Sequence, residues 1–296
     1  NVFLNNSSYQ LKLKETCQMG AELINDPSSH GDGEIIAMAL DCCLNAGLKD
    51  FRLTIGQVEY FQGLVECIED EDVKEQLREL IINKNFFGLI EFVESLDIPQ
   101  AVKDVFIQFN ELNGDVDILD KADALVSNET SKRAIRKLRK VYRMLQVYGL
   151  EQYISFDLGM LSRHNYYTGV IFKAYTYGTG DAVLKGGRYD NLIEQFGKKA
   201  PSIGFAIVLD SLMMAMERQK IEMEADSTDM LIIYEEAAME AAIPAAASYR
   251  KKGKAVILEK KDRNLEDYIA MASDQSIGCV LYYETGDSVR DLTKGQ

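Results

Sequence analysis

Two short stretches of the sequence decide its fold, SRHNYYTG at positions 162–169 and KGGRYD at positions 185–190. Runs of strand-forming residues lie beside both of them. Adjacent side chains in a strand point to opposite faces, so one of Tyr166 and Tyr167 would pack in the core while the other offers its ring and hydroxyl to a ligand. A Tyr-Tyr pair is also common in plain β-sheet packing, so its neighbours must decide between the two interpretations.

The second stretch contains a double glycine, Gly186-Gly187, followed by two opposite charges. Paired glycines permit either a tight turn or a close approach of the backbone to another group. The side chains of Arg188 and Asp190 can orient one another. The stretch lacks the Gly-Lys-Ser/Thr ending of a phosphate-binding P-loop, so it does not predict one.

A third polar cluster lies near the beginning of the chain, QMGAE at positions 18–22. In a strand, Gln18, Gly20 and Glu22 share one face, and Gly20 leaves space above the sheet for a ligand. Gln18 and Glu22 could then accept hydrogen bonds from an ammonium group. The alternative is that Glu22 simply faces water.

The rest of the sequence predicts a mixed α and β architecture. A strand is predicted at Phe51–Ile55. Between about 57 and 150, helical spacing with charged outer faces occurs near 57–67, 71–83, 85–95, 99–110 and 130–148. Strands are predicted at Tyr153–Phe156, Val170–Tyr175, Ala182–Leu184 and Ile203–Val208. A helix over Glu34–Asn45 would be capped by Asp32. After an acidic linker at 222–229, predicted strands at Met230–Tyr234, Ala255–Leu258 and Cys279–Tyr283 alternate with helices, which indicates a small α/β domain with parallel strands.

Composition narrows the class of protein. With 296 residues the chain can form two domains, and no apolar run reaches the ~20 residues of a membrane span. The net charge of −14 makes nucleic-acid binding an unfavoured interpretation, and the basic residues of the predicted helix at 130–148 fit a solvated face better. Five cysteines without a CxxC pair and two histidines predict reduced thiols and no metal site. The chain starts at Asn1 without Met, which we interpret as a fragment lacking its N-terminus.

Taken together, the clusters resemble the histidyl-tRNA synthetase family. YYTG at 166–169 and GGRYD at 186–190 resemble its two histidine-specific motifs. PSIGFAI at 201–207 resembles the start of class II motif 3, and residues 2–22 resemble motif 2 and the strand that follows it. The order and spacing of four motifs make this resemblance specific.

The resemblance implies a fold, α+β with a class II aminoacyl-tRNA synthetase-like antiparallel sheet. The expected domains are a core over residues 1–222, truncated at its N-terminus and carrying a helical insert at about 57–150, and a small α/β domain over 228–296 that resembles an anticodon-binding domain. Family motif 1 would lie before Asn1. The resemblance also implies a histidine site at Gln18, Glu22, Tyr166, Tyr167 and Tyr189, supported by Ser162, Arg163, Arg188 and Gly204.

The departures from the family concern arginines that handle ATP. Leu4 follows Phe3 where motif 2 has Phe-Arg, and Ser211 stands where motif 3 has its arginine. Ser162 aligns with a third arginine, although a bulge could bring Arg163 to that place. Arginine stabilises a reacting phosphate well because it is always charged and bidentate. The amino-acid pocket therefore looks retained and the nucleotide pocket dismantled.

This combination resembles the regulatory subunits of ATP phosphoribosyltransferase, which are paralogues of the synthetase in histidine biosynthesis. The resemblance implies a cytoplasmic, non-catalytic subunit without a cofactor, with no membrane association. It would form a homodimer within a hetero-oligomer, activate the short-form catalytic subunit and bind free histidine for allosteric feedback inhibition. A divergent histidyl-tRNA synthetase that forms histidyl-adenylate is the alternative, and a synthetase-like domain of another ligase or sensor is a third.

Overall fold

A computed structural model describes residues 1–3, 14–162, 166–222, 228–286 and 288–293. Leu4 and Arg163, which entered the arginine comparison, lie outside these residues. The chain divides into two compact units, Asn1–Ile221 and Glu222–Gln296.

The first unit is built on a seven-stranded sheet. A separate two-stranded antiparallel pair precedes it, β1 (Val2–Phe3) and β2 (Glu15–Thr16). The sheet consists of β3 (Gln18–Ile24), β4 (Phe51–Gln57), β5 (Asn113–Gly114), β6 (Ile154–Asp157), β7 (Val170–Thr176), β8 (Leu184–Arg188) and β9 (Ser202–Val208). Its order is β3-β9-β8-β7-β4-β6-β5, and each neighbouring pair is antiparallel except β4 and β6.

Helices make up much of the rest of this unit, and some of them pack against one face of the sheet. The helices are α1 (Ser29–Asn45), α2 (Val58–Val65), α3 (Glu71–Ile82), α4 (Phe86–Ser95), α5 (Gln100–Ile107), α6 (Ile118–Leu125), α7 (Glu129–Val147) and α8 (Leu209–Arg218). Strand β4 shows that one face of the sheet is buried and the other is open. Leu53 and Ile55 are fully buried, while Arg52, directly before Leu53, is exposed. The buried positions join Leu40 of α1 and Leu138 of α7 in one core. The opposite, open face of the sheet carries the polar side chains.

Two local predictions, for Asp32 and for the tyrosine pair, were wrong, and the structure decides between the two alternatives that the sequence left open for the double glycine. Helix α1 begins at Ser29 and is capped by Ser28, whose side chain accepts from the Gly31 N–H at 3.2 Å, so Asp32 lies inside the first turn instead of capping it. The double glycine lies within β8, not in a turn, because β7 and β9 flank it on both sides. Tyr166 and Tyr167 precede β7 instead of forming part of a strand, so they need not point to opposite faces.

The second unit is a small α/β domain. Strands β10 (Met230–Tyr234), β11 (Val256–Lys260), β12 (Cys279–Tyr283) and β13 (Val289–Asp291) form a sheet in the order β11-β10-β12-β13. The first three are parallel, and α9 (Met239–Lys251) and α10 (Leu265–Asp274) connect them. Apolar clusters lie on both faces, which is typical of parallel strands joined by helices.

Candidate functional site

A floor of two glycines lies on the open face of the seven-stranded sheet. Glu22 of β3 pairs with Gly204 of β9, and Gly204 pairs with Gly187 of β8. A Cβ atom at Gly204 would lie 1.7 Å from Oε2 of Glu22, and one at Gly187 would lie 2.6 Å from Cε1 of Tyr167. The Glu22 carboxylate and the Tyr167 ring therefore rest directly on backbone that only glycine leaves uncovered.

Three tyrosine rings stand around the Glu22 carboxylate. The Tyr189 hydroxyl donates a hydrogen bond to Oε2 of Glu22. The ring of Tyr166 lies edge-on to that of Tyr189 with centroids 6.2 Å apart, and its centroid is 4.3 Å from that of Tyr167. The site thus has aromatic walls around a single carboxylate, a combination that suits a flat ligand carrying N–H donors.

The hydroxyls of Tyr167 and Tyr189 stay protonated at neutral pH. Burial raises the pKa of Tyr167, and its hydrogen bond with Tyr166 raises the pKa further. Burial also raises the pKa of Tyr189, and donation to the Glu22 carboxylate adds to the shift. Both residues therefore act as neutral hydrogen-bonding groups, and Glu22 supplies the negative charge of the cluster.

Arg188 lies beneath the site and holds it in place. Its Nε donates to the Asp32 carboxylate at 2.7 Å, and the side chains of both residues are only 4% exposed. Its terminal nitrogens donate to the Asp26 carbonyl at 2.8 Å, the Ser28 carbonyl at 3.2 Å and the Asp190 carboxylate at 3.0 Å. Since most of its donors are used within the protein, Arg188 fixes the start of α1 against β8 and orients the neighbouring Tyr189.

The remaining predicted site residues do not all lie in the cluster of Glu22 and the tyrosines. Gln18 shares the face of Glu22, two positions beyond Gly20, and its amide Nε2 donates to Oγ1 of Thr16 at 3.4 Å. The Ser162 carbonyl accepts a hydrogen bond from Arg78 of α3. The structure therefore brings Glu22 together with the three tyrosines, while Gln18 flanks this cluster. The predicted role of Arg163 stays untested because the residue lies outside the described ranges.

Sequence reasoning missed several residues that shape this face. Asp32 is the buried partner of Arg188, and Gly187 is the floor beneath Tyr167. Lys173 and Lys185 lie opposite each other on β7 and β8. Only the strand register places them beside the Glu22 cluster, and no local motif in the sequence marks them.

Changing Gly204 to Ala tests the floor. A methyl group there would displace the Glu22 carboxylate and would also lie 2.7 Å from the Ala21 carbonyl oxygen, which belongs to the backbone of β3. We expect ligand affinity at this site to fall about 10-fold or more, as expected for loss of a charge-assisted hydrogen bond. Calorimetry with histidine measures the effect. Gly180→Ala is the matched control, because its added Cβ would meet nothing within 4 Å; equal affinities of the two variants would contradict the assigned floor.

Comparisons with known proteins identify the family of this chain. The histidyl-tRNA synthetase family model matches residues 1–212. An ATP phosphoribosyltransferase regulatory subunit of Acetivibrio thermocellus is 38% identical over 299 aligned residues, which cover 100% of this chain and 72% of the relative. The chain belongs to the family of ATP phosphoribosyltransferase regulatory subunits. A second such subunit, from Clostridium kluyveri, is 38% identical over 86% of this chain and 66% of its own length.

Solved structures confirm the fold of this regulatory-subunit chain. A Bacillus halodurans structure described as an ATP phosphoribosyltransferase regulatory subunit/histidyl-tRNA synthetase matches with a TM-score of 0.75 and 30% identity, over 92% of this chain and 69% of that one. A histidyl-tRNA synthetase from Nostoc sp. matches with a TM-score of 0.73 at 21% identity, over 96% and 71%, and shows the fold alone. The predicted class II synthetase-like fold is thereby confirmed.

None of the helices in the described ranges is long and apolar enough to cross a membrane. Within the same ranges, no group of three or more His, Cys, Asp or Glu side chains could hold a metal ion.

Proposed function

We propose that the chain is a non-catalytic regulatory subunit of ATP phosphoribosyltransferase that binds histidine, activates the short catalytic subunit and transmits feedback inhibition. The observation that carries this proposal is the cluster of Glu22 with Tyr166, Tyr167 and Tyr189 on a glycine floor. It suits a flat ligand with N–H donors, and the sequence has Leu4 and Ser211, with Ser162 as a third aligned position, where the synthetase family has ATP-handling arginines.

The geometry favours one orientation of histidine. Three aromatic rings beside a carboxylate suit the flat imidazole ring of histidine. The N–H groups of this ring would donate hydrogen bonds to the Glu22 carboxylate. Gln18 lies four residues along the same strand face, so its amide oxygen would accept from the α-ammonium over Gly20. The sequence alone predicted Glu22 as the ammonium partner; the tyrosine cluster makes the imidazole the better occupant of that position.

Two measurements on the full chain test the proposal. Calorimetry should detect histidine binding, and mixing with the short-form catalytic subunit should raise its transferase activity and make that activity sensitive to histidine. A regulator must bind one state of the assembly better than the other, so histidine affinity should differ between the free chain and the complex. Absence of histidine binding, or of any effect on the catalytic subunit, would reject the proposal.

The divergent-synthetase alternative makes the opposite prediction for ATP. An active synthetase would catalyse histidine-dependent exchange between ATP and pyrophosphate. We expect no exchange, because removing one such electrostatic contact already costs about 10²–10³ in rate, and the resemblance indicates more than one lost arginine. A robust exchange rate would establish the synthetase and overturn the regulatory assignment.

A further inference from the structure

Two lysines lie opposite each other on the open face of the sheet. They belong to the row of cross-strand neighbours next to the row that contains the glycine floor. Lys173 of β7 pairs with Lys185 of β8, and the same row continues through Ala206 of β9 to Gly20 of β3. This row is displaced by two residues along the strands from the row of Glu22 and Gly204, a distance of ~7 Å.

Like charges directly opposite each other destabilise a sheet, so this arrangement needs compensation. Burial lowers the pKa of Lys173, and the charge of Lys185 lowers the pKa further. Lys185 has an ion pair with Asp181 at 3.3 Å, but both side chains are about half exposed, so the pair is weak. Asp157, at the far edge, pairs with Lys84 at 2.8 Å. Among the described residues, Lys173 has no salt bridge, which leaves a positive charge in surplus.

The row carries only small residues between the lysines and the edge strand. Ala206 and Gly20 are among the smallest residues, so these two strand positions place no bulky side chain between the lysines and β3. An amino acid whose side chain lies at Glu22 would place its ammonium and carboxylate over this row. Glu22 cannot accommodate that carboxylate because like charges repel. Arg188 already donates hydrogen bonds to Asp32, to the Asp26 carbonyl and to Asp190.

We propose that Lys173 and Lys185 form the subsite for the α-carboxylate of the bound amino acid, and that they make the site select the free acid over analogues without a carboxylate. The inference rests on the proposed function, since it concerns the same histidine site. A bound carboxylate would relieve the repulsion between the two ammonium groups, and each lysine can donate up to three hydrogen bonds to it. The lysine pair would thereby supply cationic charge on a face where the aligned Ser162 provides none.

Calorimetry on the full chain with histidine, histidinol and histamine tests the subsite. The two analogues keep the imidazole and the amine but lack the carboxylate. The unmodified chain should prefer histidine about 10-fold or more, the effect of a charged hydrogen bond. In Lys185→Met that preference should fall toward equality, because histidine binding weakens while histamine binding does not. Lys173→Met should act in the same direction, and Lys185→Arg should restore most of the preference.

The controls separate the subsite from the rest of the proposal. Lys140→Met, on the exposed surface of α7, should leave the preference unchanged. Because Lys173 is partly buried, the thermal stability of each variant should be measured. If Lys173→Met unfolds, the test depends on the variants of the more exposed Lys185.

If histidine binds but Lys185→Met prefers histidine over histamine as strongly as the unmodified chain does, the proposed subsite is wrong while the histidine site stands. If histidine does not bind the unmodified chain, both the proposed histidine site and the lysine subsite are rejected. If Lys185→Met instead abolishes binding of inorganic phosphate and leaves the preference intact, the pair serves another anion and the proposal is overturned.

Discussion

Replacing Glu22 by Gln should weaken histidine binding by about 10- to 100-fold, the range of a lost charge-assisted hydrogen bond. The amide keeps the size of the carboxylate and can still accept from the Tyr189 hydroxyl, so the aromatic cluster should keep its shape. What disappears is the negative charge that Glu22 places beside the tyrosine rings. Isothermal titration with histidine measures the change directly.

The pH dependence of this variant identifies the end of histidine that Glu22 contacts. A free imidazole titrates at a pKa of about 6.5. If the imidazole lies at Glu22, affinity for the unmodified chain should rise as the pH falls through that value, and the rise should largely vanish in Glu22→Gln. An ammonium at Glu22 would give no such slope, because it stays charged throughout this range.

The control for Glu22→Gln is Glu34→Gln, which removes one exposed carboxylate from α1 and should leave histidine affinity unchanged. Unchanged affinity in Glu22→Gln itself would show that Glu22 is not in the site. The carboxylate would then be a solvated side chain of an edge strand, the alternative that the sequence alone leaves open.

Much of the fold could be predicted from local patterns. Strands β10 and β12 were placed correctly at both ends, because continuous apolar runs bounded by polar residues indicate buried parallel strands. The helix from Ile118 to Leu125 was missed, since its eight residues are too few to show a clear period. The Tyr166-Tyr167 pair was taken for strand because tyrosine favours sheets, yet the strand begins only at Val170.

The candidate site was harder to predict because its geometry depends on register. Glu22, Gly204 and Gly187 become neighbours only when β3, β9 and β8 pair as they do. A shift of one residue in any of these strands would turn the side chains to the other face. Family resemblance located Glu22 and the tyrosines without that knowledge. The lysine pair has no such motif, so only the paired strands reveal it.

Replacing Arg188 by Met should lower the free energy of unfolding by about 3–5 kcal/mol, the cost of leaving a buried charge without its partner. Arg188 is the ion-pair partner of Asp32 at a place where both side chains are 4% exposed, and it also satisfies the carbonyls of Asp26 and Ser28. Methionine fills part of the space but replaces none of these bonds. Urea denaturation of the variant, followed by circular dichroism, measures the loss.

The loss should also depend on pH, in a direction set by Asp32. Burial raises the pKa of Asp32 from 3.8 to about 6, and Arg188 opposes that rise. A carboxyl with a raised folded-state pKa contributes stability that is fully present below its unfolded pKa and disappears as the pH rises through the folded one. Without Arg188 the folded pKa is higher still, so the variant should continue to lose stability at higher pH. The gap between the two proteins should therefore be smallest near pH 4 and widen from about pH 6 upward.

Two further variants decide whether the buried charge is the cause. Adding Asp32→Asn to Arg188→Met removes the unpaired carboxylate, so it should recover part of the lost stability and abolish the widening with pH. Arg136→Met breaks a pair with Glu129 in which both side chains are more than half exposed, so it should cost at most about 1 kcal/mol. A small, pH-independent loss in Arg188→Met would contradict this account. It would mean that packing alone holds α1 against β8, and that the orientation of Tyr189 does not depend on the ion pair beneath it.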